Sequence, residues 1–175
     1  MNFANSTNLA VDVQYDDSSN TAVVAGVTFD DWASAVPLET YTHKVSGVAA
    51  YVPGEFYKRE LPCILALIRE HRLSPRCVVI DGFVHLDSKG RPGLGAHLFE
   101  ALDHALPVIG VAKTSFAGID DRFRVFRGNS TKPLYVTAAG VDLDVAQGLV
   151  RAMHGEFRLP TLLRRVDQIC RGHDE

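Results

Sequence analysis

The chain is 175 residues long, enough for one ordinary domain, and its 46% hydrophobic and 22% charged residues exclude a disordered chain or a coiled coil. No apolar stretch approaches bilayer length, and Met1–Thr7 lacks the charged-then-apolar layout of a signal peptide, so a soluble, cytoplasmic protein is expected. The net charge of −3 gives no global pull toward nucleic acid, and Cys63, Cys77 and Cys170, an odd number without CxxC spacing, make a zinc site improbable.

In chain order, Leu9–Tyr15 carries Val11 and Val13 and predicts a strand. The cluster Asp16-Asp17-Ser18-Ser19-Asn20 is a turn, and Thr21–Phe29 is a strong β run, so the two strands form a hairpin. Tyr41–Val48 supplies a third strand through the alternation of Tyr41, His43 and Val45. From Phe56 to His71 the period becomes helical, with Leu61, Ile64, Leu65, Leu67 and Ile68 on one apolar face. Pro62 is then expected in the first turn, where a missing N–H is harmless. Arg76–Ile80 reads as a buried strand ending at Asp81-Gly82, Gly95–Leu106 as a helix and Pro107–Ala112 as another buried strand. Leu134–Ala138 follows as a strand, and Val145–Met153 and Leu162–Cys170 as helices. No repeat, low-complexity tract or long linker divides these elements. Residues 1–175 are therefore expected to form a single α/β domain, a mixed central sheet with helices on both faces. Sheets of this kind place ligands at the carboxyl ends of their strands.

Several charged residues fall at such places, and each has a plain structural reading beside its chemical one. Asp12 lies inside the first strand between two valines, where it is either an edge residue facing water or a carboxylate that needs a cation. Asp81 precedes Gly82, which suits a metal or catalytic position and equally an Asp-Gly turn. Glu60 sits at a helix start, where the dipole favours acids. Lys113 ends the strand PVIGVAK, where it can neutralise a phosphate or simply extend into solvent. Tyr51, before the Pro53-Gly54 turn, is either a loop-tip ring able to stack on a base or packing at the core rim. The basic residues Lys113, Arg122, Arg124, Arg127 and Lys132 form a strip that serves phosphates or is a solvated loop. Together, three carboxylates and a lysine at sheet edges and a helix start favour Mg²⁺ or Mn²⁺ over zinc, and metal-assisted phosphodiester hydrolysis.

The motifs together resemble the endonuclease V family, the deoxyinosine-directed nucleases with an RNase H-like fold. The resemblance runs in order through LAVDVQY around Asp12, YVPGEFYKRELP (51–62), VVIDG (78–82), GLGAHL (93–98), PVIGVAK (107–113) and FRLPTLLRRVD (157–167). It implies that Asp12, Glu60 and Asp81 bind Mg²⁺, with Mn²⁺ as an alternative, and that Lys113 acts near the scissile phosphate. Tyr51, Val52, Pro53 and Gly54 match the wedge that enters the duplex. Gly82 would edge the pocket that receives the hypoxanthine base, with the backbone of 107–112 as further wall. The implied reaction is cleavage of DNA or RNA at the second phosphodiester 3′ to deoxyinosine or inosine, leaving a 3′-hydroxyl and a 5′-phosphate. The implied protein is a monomer without a small-molecule cofactor.

The chain departs from the family pattern in three places. FVHLDSKGRP (83–92) replaces the usual histidine-proline-arginine stretch and is one residue longer. Counting back from Ala146, the family's metal-binding histidine of a glycine-histidine pair falls on Ala139, with Asp142 or Asp144 as substitutes. The first strand also begins almost at the start of the chain, where the family has a preceding helix. The alternative is thus a catalytically impaired relative that binds altered bases, although retention of Asp12, Glu60, Asp81 and Lys113 speaks against it. GxSxG, P-loop and dinucleotide-binding patterns are absent.

Overall fold

The structure, a computed structural model, describes residues 7–173; residues 1–6, within the stretch read for a signal peptide, lie outside them. Strands β1 (Asn8–Asp16), β2 (Thr21–Phe29) and β3 (Glu39–Ser46) pair antiparallel in succession. The first turn is closed by Asp16, whose carboxylate accepts hydrogen bonds from Ser18 and Ser19. Then come α1 (Tyr57–Glu70), β4 (Cys77–Asp81), α2 (Leu94–Ala101), β5 (Val108–Ala112), β6 (Arg124–Val125), β7 (Leu134–Ala139), α3 (Leu143–Ala152) and α4 (Thr161–Cys170). They build one seven-stranded mixed sheet of order β3-β2-β1-β4-β5-β7-β6, in which β1, β4 and β5 are mutually parallel.

Strand alternation assigns the two faces. Leu9, Val11 and Val13 of β1 pack with Ile64 and Leu67 of α1 and Leu94 and Leu98 of α2. Ala10 faces the opposite way, toward the layer in which Val79 and Val111 meet Ala146 and Val150 of α3 and Leu162 and Val166 of α4. The apolar run of β4 is buried on both faces, as a parallel strand covered by helices should be.

Three elements differ from expectation. Pro62 is the sixth residue of α1, beyond the first turn, so the helix runs on without an N–H for the Lys58 carbonyl. Helix α2 stops at Ala101 rather than Leu106, because Asp103 and His104 both adopt left-handed backbone, with φ of 54° and 57°. The two-residue strand β6, preceded by a short 3₁₀ turn at Asp121–Phe123, is too brief to leave a periodic signal.

Candidate active site

The sheet register brings the acids together. Strand β1 pairs with β4 only from Asn8 to Val11, with Val11 opposite Ile80, so the next residues, Asp12 and Asp81, lie side by side where the pairing ends. Both point to the α4 face, Asp12 by alternation from Ala10 and Asp81 from Val79. Asp12 is therefore in an inner strand, third of seven, and the edge-strand reading of it fails. Asp81 is also opposite Val111 of β5, and Lys113, two residues further on, returns to the same face. Its Nζ donates to Asp81 Oδ2 at 3.1 Å. One small cavity is lined by Asp12, Asp81 and Lys113 together with Leu159 and Leu163.

Glu60 reaches this cluster from the other side, on the first turn of α1, which covers the opposite face. Arg59 fixes that turn: its guanidinium pairs with Asp17 of the β1–β2 turn at 2.7 Å and lies 4.1 Å from the centre of the Tyr15 ring. Glu60 is 8% exposed. Burial pushes its carboxyl well above the usual range, and the charges of Asp12 and Asp81 push it further, against the weaker help of Arg59. Asp12 is raised to about 7, first by burial and then by Asp81, although it accepts a hydrogen bond from the Val13 N–H at 2.8 Å.

A further acid belongs here. Asp167 of α4 shares a hydrogen bond with Asp12, and potential ligand atoms of Asp12, Asp167 and Cys170 all lie within 4.8 Å of one another. Burial alone would raise the Asp167 carboxyl, but hydrogen bonds from Arg171 and Asp12 and the charge of Lys113 bring it below its ordinary range. Lys113 is raised: partial burial works to lower it, and Asp81 outweighs that effect. Four carboxylates thus face one ammonium group at the rim of the sheet. Asp12 and Glu60, raised by burial and by neighbouring acids, together with the adjacent Asp81 and Asp167, offer oxygen donors whose crowding a hard divalent cation would relieve, so the four fit such an ion.

Beside the acids opens a cleft of about 300 Å³, lined by Tyr51, Phe56, Tyr57, Phe83 and Phe116, with Glu60, Asp81 and Gly82 at its inner end. Tyr51, Val52, Pro53 and Gly54 form an exposed turn at its mouth, where Tyr51 is 58% exposed and packs edge-on against Phe56. Gly82, with φ of 142°, starts the cleft wall, and Val84 N donates to Thr137 Oγ1 at 2.8 Å to pin that wall to the sheet. A Cβ on Gly110 would lie 2.5 Å from the Gly82 carbonyl oxygen, so the wall rests directly on β5. Residues 107–112 are consequently beneath the wall and do not line the cleft as expected; Phe83, Leu86, Gly93 and Phe116 do.

Comparison with known proteins decides the family. The Endonuclease V family model matches residues 3–129. A relative from Streptomyces avermitilis, named Endonuclease V, is 34% identical over 92% of this chain and 77% of its own length. The crystal structure of endonuclease V from that organism superposes with a TM-score of 0.79 at 32% identity, covering 95% of this chain and 80% of that one. The chain belongs to the endonuclease V family. It is a nuclease with the RNase H-like α/β fold. Endonuclease V of Ciona intestinalis, solved in complex with a DNA containing an inosine followed by a ribo-adenosine, shares the fold at 18% identity and a TM-score of 0.76, covering 95% of this chain and 85% of that one.

Two expectations need correction. Ala139 pairs with Val108, at the beginning of β5, because β7 runs antiparallel to it. That position, and with it Asp142 and Asp144 at the start of α3, lies at the opposite end of the sheet from Asp81, so none of the three replaces a ligand. Asp167, on which FRLPTLLRRVD ends, is the site acid that the sequence pattern does not single out. The basic strip is not one surface either. Arg127 is buried and Arg124 pairs with Asp121 at 2.8 Å, leaving Lys113 as the member that faces the acids. Among the described residues no helix is long and apolar enough to cross a membrane.

Proposed function

We propose that the chain is a divalent-cation-dependent endonuclease that accepts an inosine base from DNA or RNA and cuts the second phosphodiester on its 3′ side. The observation that carries this reading is the placement of Asp12 beside Asp81, with Glu60 and Lys113 converging on them, at the inner end of an aromatic cleft. A planar base turned out of the stack suits a cleft walled by Phe83, Phe116 and Tyr57. The Tyr51-Val52-Pro53-Gly54 turn at the mouth fills the space that the base leaves. The inosine-containing DNA bound by the Ciona intestinalis protein supports the same substrate class.

On this reading Asp12, Glu60, Asp81 and Asp167 hold Mg²⁺, with Mn²⁺ as a substitute. Such a cation supplies Lewis acidity toward the phosphodiester and toward water. The chain's own residues do the rest. Lys113, held by Asp81 Oδ2, presents its remaining N–H groups to a phosphate oxygen and offsets the charge that grows there. Asp81 orients that lysine, and the aromatic walls keep bulk water from the base. The products carry a 3′-hydroxyl and a 5′-phosphate. Residues 1–175 act as one domain, as a cytoplasmic monomer and without a small-molecule cofactor.

The test is cleavage of end-labelled DNA and RNA oligonucleotides, each with one inosine, in Mg²⁺ and then in Mn²⁺, beside an Asp81→Ala control. The expected result is a single cut at the second bond 3′ to inosine that disappears in the control. Binding without a cut under either metal would refute the proposal and leave a base-recognising relative.

A further inference from the structure

Past the acids, on the side away from the aromatic cleft, a solvent-exposed phenylalanine is held in place by a buried arginine. Phe157 lies in the turn before α4 and is 55% exposed, and the Arg164 guanidinium is 4.9 Å from its ring centre. Arg127, only 6% exposed, donates to the carbonyls of Phe157 at 2.7 Å, Arg158 at 3.1 Å and Gly155 at 3.2 Å, and also to that of Met153. A Cβ on Gly128 would fall 2.0 Å from the Glu156 carbonyl oxygen, so the two loops are in direct backbone contact. An apolar ring left in water while its backbone is clamped this firmly gains little for the core. It is well prepared to stack on a flat partner, since the ordering has already occurred.

The position of this ring follows from residues shared between neighbouring hollows. Asp81 lines both the aromatic cleft and the small cavity that contains Asp12 and Lys113. Leu159 lines that cavity and also the two surface hollows that contain Phe157 and Arg164. The order across the surface is therefore base cleft, acids, Phe157. Arg158 ties the far end back to the centre, donating to the Lys113 carbonyl at 2.9 Å. Arg158 and Arg164 stand against one acid, Glu156, in the further hollow, which suits an anionic chain.

We infer that Phe157 and Arg164 form a ledge for the part of the nucleic-acid strand that continues 3′ beyond the cut, one base stacking on the ring and a phosphate meeting the guanidinium. The direction follows from geometry together with the proposed function, on which it rests. With the base in the cleft and the cut on its 3′ side, the strand passes over the acids and reaches Phe157 with its 3′ continuation. Stacking of a base on an aromatic ring combined with an arginine contact is a common means of holding single strands without sequence preference.

The test uses two inosine-containing single-stranded DNAs, one extending about ten nucleotides 3′ of the cut and one ending at it, long enough for several stacked bases in the first case only. Binding is read by fluorescence anisotropy in Ca²⁺, and cleavage in Mg²⁺. Phe157→Ala and Arg164→Ala are expected to weaken binding of the 3′-extended strand by roughly 5- to 100-fold and to leave the truncated strand unchanged. Phe157→Tyr restores the loss, and Phe157→Leu, apolar but unable to stack, does not. Equal effects on both strands, or none on either, overturn the ledge even if wild-type protein cleaves normally. A Phe157-dependent preference for the 3′-extended strand without any cleavage upholds the ledge and defeats the proposed function.

Discussion

Replacing Asp12 by asparagine should stabilise the metal-free protein at neutral and alkaline pH while removing its cleavage. The Asp12 carboxyl is raised from 3.8 to about 7 by burial, by Asp81 and by its bond to Asp167. A group whose folded pKa lies above its unfolded value gives stability that is complete below the unfolded pKa and is lost as pH rises through the folded one. Here the window is between about pH 4 and 7, where the folded protein binds a proton that the unfolded chain has released. At 1.36 kcal/mol for each pKa unit, the ionised Asp12 costs roughly 4 kcal/mol at most at pH 8. Glu60, raised by burial and by the charges of Asp12 and Asp81, adds to the loss in the same direction. Asp167 is lowered, so it is ionised in both states above about pH 5 and contributes nothing to the upper part of this window. Asparagine keeps the acceptor for the Val13 N–H, held at 2.8 Å in the wild type, and offers Asp167 a donor in place of the shared proton. Denaturation midpoints in EDTA should therefore rise by roughly 5–10 °C in Asp12→Asn at pH 8 and by less than half as much at pH 5. Magnesium should raise the wild-type midpoint more than that of the variant. An equal shift at both pH values, or a loss at pH 8, would refute the reasoning that like charge and burial, rather than packing, dominate at this position.

Lys113→Met should lower cleavage by about 10²–10³-fold with oligonucleotide binding reduced far less, since its ammonium acts where charge develops; single-turnover kinetics beside a binding titration would separate the two. Gly110→Ala should cost more than about 2 kcal/mol and blunt the preference for inosine, because the added methyl displaces the Gly82 carbonyl and the Thr137–Val84 bond behind the cleft wall. Urea melts and competition between inosine and adenosine oligonucleotides would check both effects. Arg127→Met should destabilise by roughly 2–4 kcal/mol in urea melts, since the carbonyls of Met153, Gly155, Phe157 and Arg158 lose their charged donor. Cys170 lies within ligand reach of Asp12 and Asp167, so Cd²⁺ should give a sulfur-to-cadmium ultraviolet absorption that Cys170→Ala lacks and that excess Mg²⁺ suppresses.

Elements with a long period were legible in the sequence. The hairpin of β1 and β2, the apolar stripe of α1 and the buried runs of β4 and β5 each repeat a pattern long enough to fix type and place. Asp12, Glu60, Asp81 and Lys113 could be named from their motifs, but their meeting depends on the Val11–Ile80 register, which no local pattern encodes. Asp167 is not legible for the same reason: on α4 it is one acid between Val166 and Gln168, and only the packing of α4 beneath β1 brings it to Asp12. Counting along the chain puts a ligand position at Ala139 because it ignores strand direction, and β7 runs the wrong way for its far end to approach Asp81. Arg127 looked like a surface cation because burial of a guanidinium against carbonyls of a distant loop leaves no trace in neighbouring residues.

On the proposed function, the location of the acids lets one nucleic-acid strand use both sides of the sheet. Asp12 and Asp81 project toward α4, whereas Glu60 comes from α1 on the opposite face. Carboxylates gathered within either layer would be sealed among the apolar side chains that hold the helices down. They meet instead at a rim, because β4 stops after five residues while the longer β1 continues beyond it, paired only with β2. The rim opens on the α1–α2 side to the aromatic cleft and on the α4 side to Leu159 and the surface hollows. A base can then be held against one layer while the phosphates that follow it cross the acids toward the other. The short central strand is therefore the feature that turns a mixed sheet into a passage, and it places the like-charged cluster where an ion and a polyanion can both reach it.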